Sequence, residues 1–318
     1  MPGKLISFLT AFLLLALLDS ANTGDPFSVP DAYLKADQFF NSSSPTDETD
    51  SLALAGFDAV IAKLEKYPDR YLDSILFQSY LRKGILLDVK AKNAEAKDTY
   101  LKAAAMPKKN ALLSDSLLFR VFIYVGSNYF NLNNFDSANY FLIKAEDLTR
   151  RFPRVPEKER LYNTLGALNY VNGNYLQSRN YFNQALELIQ HKPSLDTVFA
   201  LALKANIATS SYKLGNYPEA LAMYSTIIKE KIPAGYIYNG IYMNMGRAWL
   251  AIKKYPEALA SFKKVDYCEM PGVLNEKALA HFEMKHIDSA AWYLDQLRLL
   301  SKTQDVNILD IGIFKIKG

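Results

Sequence analysis

Along most of this chain, apolar positions recur three and four residues apart, and the small ones among them return on a longer period. Gly84, Gly126, Gly166, Ala208, Gly246 and Ala278 follow one another at intervals of 42, 40, 42, 38 and 32 residues. Nine residues after each anchor stand Asn93, Phe135, Tyr175, Tyr217, Tyr255 and Ile287, and twelve after stand Ala96, Ala138, Ser178, Ala220, Ala258 and Ala290. Sixteen after come Tyr100, Leu142, Phe182, Tyr224, Phe262 and Leu294, and nineteen after come Ala103, Ala145, Ala185, Ile227, Val265 and Leu297. The last three offsets differ by four and three, which places those side chains on one helix face. A sustained period of this length marks a repeat array, and each repeat predicts two antiparallel helices. The anchor and the small residue twelve on let the two backbones approach at the crossing. The large residues nine and sixteen on fill the space around it.

The punctuation agrees with that period. Asn172-Gly173-Asn174, Leu214-Gly215-Asn216 and Ile252-Lys253-Lys254 predict turns between paired helices. Pro218 and Pro256 sit at the start of second helices, where a missing N–H costs little. Pro107, Pro153, Pro193, Pro233 and Pro271 fall between repeats, where proline ends one pair before the next begins. Ala53, Phe57, Val60, Ile61 and Leu64 have helix-face spacing and predict one more, degenerate pair over residues 31–66.

The two ends read differently. Lys4 precedes an apolar run from Leu5 to Leu18 interrupted by Ser7 and Thr10, followed by polar residues to Pro30. About 14 residues are too few for a membrane span, which needs roughly 20. A charged start, short apolar run and small residues after it describe a secretory signal. Export to the periplasm or cell envelope is therefore expected, with an uncleaved anchor or a buried first helix as the alternatives. Asp19-Ser20-Ala21 and Ala21-Asn22-Thr23 are both imperfect cleavage sites. At the other end, Gly312 lies 34 residues past Ala278, and Ile308, Leu309, Ile311, Ile313, Phe314 and Ile316 are apolar on nearly every side. That segment is expected to be a half repeat or C-terminal helix, either the point where longer family forms continue into more repeats and a membrane segment or a surface for self-association. Membrane association is otherwise expected only through an uncleaved N-terminus or a partner. The expected organisation is thus 1–24 signal peptide, 25–68 N-terminal degenerate helix pair, 69–302 helical repeats, and 303–318 half repeat.

Phrases such as Leu165-Gly166 with Gly173-Asn174-Tyr175, Phe182 and Ala185 resemble the tetratricopeptide repeat (TPR). Leu214-Gly215-Asn216-Tyr217-Pro218-Glu219-Ala220-Leu221 with Tyr224 does so too. The resemblance covers roughly residues 70–302 and implies an all-α, right-handed superhelical solenoid of antiparallel helix pairs. A signal peptide before such repeats is similar to exported bacterial TPR proteins, including the sensory arrays of membrane regulators. Ser178 stands where the family has Ala, Ala208 and Ala278 where it has Gly, and Asn93 where it has an aromatic residue. The two-carboxylate clamp by which some members hold chaperone tails is not reproduced here.

Composition narrows the function. Half of the 318 residues are apolar and only 14 are Gly, which suits a folded body rather than a disordered chain. The 37 basic and 33 acidic residues are scattered, with no basic block to track phosphates, so nucleic acid is not an expected partner. The single cysteine, Cys268, cannot form an internal disulfide and reads as a small buried hydrophobe. His281 and His286 are five apart, unlike the i, i+4 pair of a helical zinc site, and His191 is remote in sequence. No phosphate loop, nucleophile elbow or paired-cysteine motif is found, so neither an enzyme nor a cofactor is expected. Tyr175, Tyr217, Tyr224 and Tyr255 read as packing residues.

Solenoid stacking sets first helices side by side on one face. Positions six, three and two before the anchor, and one and four after it, are expected there. Among them are Arg120, Phe130, Arg160, Asn163, Tyr170, Asn206, Tyr212, Asn244 and Arg247. Arg, Asn and Tyr can hydrogen-bond an extended peptide and its carboxylates. The expected function is a non-catalytic scaffold that binds a protein or peptide, with an assembly factor for outer-membrane or secretion machinery as the alternative. An enzyme built on a helical-repeat body is the reading from another class.

Overall fold

The computed structural model describes residues 28–106, 115–190, 197–230, 236–265 and 271–303. The expected signal peptide, Cys268, His191 and all of the C-terminal half repeat beyond Thr303 lie outside the described residues. Within them the fold is all-α, with no strand. The helices are α1 (Val29–Phe40), α2 (Asp47–Lys66), α3 (Asp73–Val89), α4 (Asn93–Ala105), α5 (Leu118–Asn131), α6 (Phe135–Arg151) and α7 (Lys158–Val171). They continue as α8 (Tyr175–Gln190), α9 (Thr197–Lys213), α10 (Tyr217–Ile227), α11 (Tyr236–Ala251), α12 (Tyr255–Phe262), α13 (Pro271–Glu283) and α14 (Ile287–Thr303). The chain divides into two compact units, residues up to Thr164 and residues from Leu165, with the boundary inside α7.

Every anchor lies five residues before the end of a first helix, and every second helix begins nine residues after it. The anchors are buried, and what buries them is the side chain sixteen residues on. A β-carbon on Gly84 would meet the Tyr100 ring at 2.3 Å, one on Gly166 the Phe182 ring at 2.7 Å, and one on Gly246 the Phe262 ring at 2.3 Å. On Gly126 it would meet Leu142 at 2.7 Å. The expected division of labour shifts accordingly: the large residue at offset sixteen lies directly over the anchor, and the small residue at offset twelve is not what requires the glycine. That small residue is fully buried all the same, as Ala96, Ala138, Ala220 and Ala258 show. Ser178, the departure from alanine, is also fully buried, and its hydroxyl pairs at 3.1 Å with that of Ser210 on α9. Ser210 in turn donates to the Asn206 carbonyl at 2.9 Å, so the substitution leaves no orphaned polar group.

The N-terminal pair follows the same plan with a longer connection. Ala36, Ala53, Phe57 and Val60 are buried to 1% or less, and a β-carbon on Gly56 would touch that of Ala36 at 2.7 Å. Thr46 and Thr49 close a reciprocal cap at the start of α2. Asn93 opens α4 at the register of the aromatic residues elsewhere.

All six later turns are built alike. Seven residues after the anchor the backbone takes a positive φ: Ala91 (55°), Asn133 (57°), Gly173 (79°), Gly215 (83°), Lys253 (61°) and Lys285 (63°). One residue further, an N–H reaches back to the carbonyl three residues after the anchor, as in Lys92 to Leu87 at 2.9 Å and Lys254 to Trp249 at 2.8 Å. This is the Schellman closure of a helix end, which favours glycine at the left-handed position. Only two of the six have it. His286 follows the last of these turns, so it is not on the helix that carries His281. The two rings lie 5.9 Å apart. Among the described residues no group of three side chains is placed to hold a metal ion. Among them, too, no helix is long and apolar enough to cross a membrane.

Neighbouring first helices are tied by a repeating rung, from one residue after an anchor to two before the next. Asp37 pairs with Arg82, whose guanidinium also lies over the rings of Tyr33 and Phe40. Ser127 pairs with Thr164 at 3.1 Å, Asn244 donates to Thr209 at 3.3 Å, and Arg247 pairs with Glu276 at 2.7 Å. Positions four and nine after the anchor add ring pairs across the turn: Phe130 with Phe135, Tyr170 with Tyr175 and Tyr212 with Tyr217, at 5.4–5.6 Å between centroids. Of the four tyrosines read as packing residues, Tyr224 is fully buried, whereas Tyr175, Tyr217 and Tyr255 are partly exposed beside the turns.

One buried polar contact of the N-terminal unit is incomplete. The Tyr100 hydroxyl passes its anchor and donates to Asp88 Oδ2 at 2.7 Å. Burial raises the Asp88 carboxyl above the ordinary aspartate range, against the opposite pull of Tyr100 and Asn128 beside it. Asp88 Oδ1 and Asn128 Oδ1 are both buried acceptors without a donor.

Two outcomes follow. Lys253→Gly relieves a left-handed lysine and should raise stability by about 0.5–1 kcal/mol after glycine's own entropy cost, while Gly173→Ala should lower it by about 1 kcal/mol. Urea melts of both variants check this. Asp88→Asn supplies the missing donor and should stabilise the chain at pH 7 by about 1 kcal/mol, water screening part of the effect at this half-buried site. Because the native pKa is raised, the wild-type penalty is absent at low pH and grows as pH rises above the unfolded aspartate value of about 3.9. The gain should therefore shrink between pH 7 and pH 4, as melting curves at the two values will show.

Candidate binding face on the first helices

The positions expected to line a binding face fall in both units. Arg120, Asn163 and Arg160 belong to the N-terminal unit. Arg120, at the start of α5, grips both oxygens of Glu157: Nη2 to Oε1 at 2.9 Å and Nε to Oε2 at 3.3 Å. Tyr124 reaches the same carboxylate at 3.5 Å and Arg160 approaches it to 3.9 Å. Glu157 stands just before α7 with a φ of 65°, a strained setting that the two arginines and the tyrosine hold in place. Arg160 is otherwise exposed, and Asn163 is half-buried on α7. Phe130 is occupied by its ring contact with Phe135.

In the C-terminal unit the expected residues converge. Tyr170 on α7, Asn206 and Tyr212 on α9, and Asn244 and Arg247 on α11 stand on successive first helices, with Glu276 on α13 after them. α9 packs beside α11, and α11 beside α13. The Arg247 cation acts on the hydroxyls of both Tyr170 and Tyr212, and Glu276 acts on Tyr212. Burial is the largest influence on each and raises both phenols above the ordinary value. Behind them Tyr224 fills the crossing of α9 and α10, and its hydroxyl meets Thr209 at 2.8 Å. Burial pushes the Tyr224 phenol up to about 12, partly offset by Thr209 and Asn244. At neutral pH all three phenols are protonated and can donate.

Two of the expected residues are not simply presented to a ligand. Asn244 and Arg247 are rung residues, each bonded to the neighbouring first helix, so their first role is to hold the helices in register. Three members of the cluster were missed: Thr209, Glu276 and the Tyr224 hydroxyl. The signal was present, because Thr209 occupies the same offset as Arg247, and Glu276 the same offset as Asn206 and Asn244. Selecting by residue type hid what selecting by position would have shown. Tyr224 was assigned to the core by its ring, and its polar end emerges only because the ring crosses beside a small anchor.

No protein-family model matches the sequence, and no curated protein does. Solved structures do match. The apo form of the quorum sensor NprR from B. thuringiensis aligns with a TM-score of 0.65 at 17% identity, over 89% of this chain and 85% of that one. A tetratricopeptide repeat protein from Parabacteroides merdae aligns at 0.53 and 17%, over 91% and 98% of the two chains. In the Cut9–Hcn1 assembly of the APC/C the values are 0.58 and 14%, over 90% of this chain, which spans only 52% of that partner's length. At these identities the likeness speaks for architecture, and the architecture is that of the TPR solenoid proteins.

Proposed function

We propose that this chain is a non-catalytic binding scaffold that receives a protein or peptide on the first-helix face of its C-terminal unit. The observation that carries the reading is the convergence of Tyr170, Tyr212 and Arg247 from three successive first helices, two phenols around one cation, with Asn206 half-buried on the middle helix. Such a set hydrogen-bonds an extended backbone and packs its rings on side chains. The structural likeness to a quorum sensor supports a ligand-responsive role for the same fold. The apolar run from Leu5 to Leu18 after Lys4 supports export, and we place the scaffold in the bacterial envelope, as the partner-binding or sensory part of a membrane regulator.

A photo-crosslinking residue at Asn206 tests this in envelope extracts, with one at the exposed Lys229 as control. Asn206 should capture a discrete protein or peptide that Lys229 does not. Asn206→Ala should weaken binding of that species by about 1–3 kcal/mol and leave melting nearly unchanged. Equal capture from both positions, or affinity untouched by Asn206→Ala, contradicts the reading. N-terminal sequencing of the recovered chain reads export directly, a mature start soon after the Leu5–Leu18 run being expected and an intact Met1 on cytoplasmic protein being the contrary result.

A further inference from the structure

We propose that the last helix pair, α13 with α14, is an acid-sensitive latch in which protonation of His281 and His286 loosens α14 from α13. The turn between the two helices places these side chains together. Its Schellman closure runs from the His286 N–H to the His281 carbonyl at 2.9 Å, behind the left-handed Lys285. A closure of this kind brings the side chains at its two ends into contact. At the turn between α7 and α8 they are Asn169 and Asn174, whose amides meet at 3.5 Å. In the last turn both are imidazoles, 5.9 Å apart between centroids.

The setting suits neutral imidazoles and opposes charged ones. The His281 ring is half-buried and stacked on Tyr293 of α14, with 5.4 Å between centroids and 19° between planes. Its Nδ1 is buried and has no hydrogen-bond partner among the described residues. A neutral ring can turn a lone pair there, whereas the cation carries a proton on both nitrogens and buries an N–H without an acceptor. The charges nearby repel a further one. His286 stands across the turn, and Lys277, one turn earlier on α13, lays its ammonium over the Tyr293 ring at 5.7 Å. Carboxylates are engaged elsewhere: Glu283 accepts from the Tyr255 hydroxyl of α12 at 3.3 Å, and Glu276 pairs with Arg247 of α11. Asp288 lies in the exposed first turn of α14. Burial first, and then the His286 charge, hold the His281 imidazole below the ordinary histidine value, and no carboxylate among the described residues offsets them. A lowered value means that the opened pair takes up a proton more readily than the closed one. The closed pair is therefore fully held above the ordinary imidazole value of about 6.5 and weakens as pH falls through the lowered one. With both rings protonated, two cations face each other across one turn, and parting α14 from α13 relieves them. Because α13 also carries Glu276, the latch lies beside the proposed binding face, but it acts whether or not a ligand is bound there.

Hydrogen exchange of the full chain tests this, read by mass spectrometry on the peptide over 287–303 and corrected for the intrinsic effect of pH. Between about pH 7.5 and about pH 5.5 that peptide should lose protection several-fold, while peptides over α5 and α10 keep theirs. His281→Phe keeps a ring against Tyr293 and removes its titration, and His286→Gln removes the second charge. Each should reduce the pH response and the two together should abolish it, with His191→Gln responding as the wild type does. Each variant is compared with itself across pH, so a uniform loss of stability does not imitate the effect. The latch is overturned if α14 protection does not change with pH, or if α5 and α10 loosen in step with it. It is overturned equally if the double variant still responds, or if His191→Gln removes the response. None of these outcomes depends on whether Asn206 captures a partner, so the latch and the binding face fail separately.

Discussion

In the four repeats with a glycine anchor, the first-helix backbone lies directly against the side chain sixteen residues on, and the other regularities of those repeats follow from it. A ring that lies over Gly84, Gly166 or Gly246 leaves no room for a β-carbon, which fixes how far the second helix can slide along the first. With that register set, the helix must end five residues after the anchor and the next must begin nine after it. Only a left-handed residue and a Schellman closure fit the gap. The same register puts one row of side chains toward the neighbouring first helix, where the rungs form. Packing thus determines the turns, and the turns determine which polar residues meet.

Where the anchor is small and the residue above it is a tyrosine, packing also delivers chemistry. The ring of Tyr100 crosses beside Gly84 and that of Tyr224 beside Ala208, and their hydroxyls emerge at Asp88 and Thr209. A phenylalanine or leucine at this offset, as in Phe182 or Leu142, fills the crossing without reaching a polar partner. The two repeats with tyrosine are therefore the ones in which the core and the first-helix face share a hydrogen bond. In the C-terminal unit that bond lies beneath Asn244, which donates to the same Thr209. A ligand on this face would rest on a polar layer anchored in the core rather than on loosely held side chains.

The fold was largely legible in the sequence because its determinants are local and repeated. Gly126, Ala138, Leu142 and Ala145 state the packing rule, and five further copies leave little freedom in reading it. The site was legible by position and obscured by residue type. Tyr170, Tyr212 and Arg247 stand together as their offsets require, whereas Glu276 was not singled out. Its partner, Arg247, lies 29 residues earlier, and nothing short of the rung rule connects them. The pairing of Ser178 with Ser210 was hidden for the same reason: each serine looks like a conservative departure until the helices that carry them are brought together. The closeness of His281 and His286 depended on where α13 ends, a boundary that a periodic pattern does not sharpen.

The account stands on the claim that a large side chain, and not general crowding, is what requires glycine at the anchor. A double-mutant cycle between Gly166→Ala and Phe182→Leu measures it. Alanine is the better helix former by about 1 kcal/mol, so any loss on Gly166→Ala reflects the ring above it. The account predicts that Gly166→Ala destabilises the chain when Phe182 is present, and is neutral or stabilising in the Phe182→Leu background, with a coupling of at least about 1 kcal/mol. Additive changes, with Gly166→Ala equally harmful in both backgrounds, would contradict it.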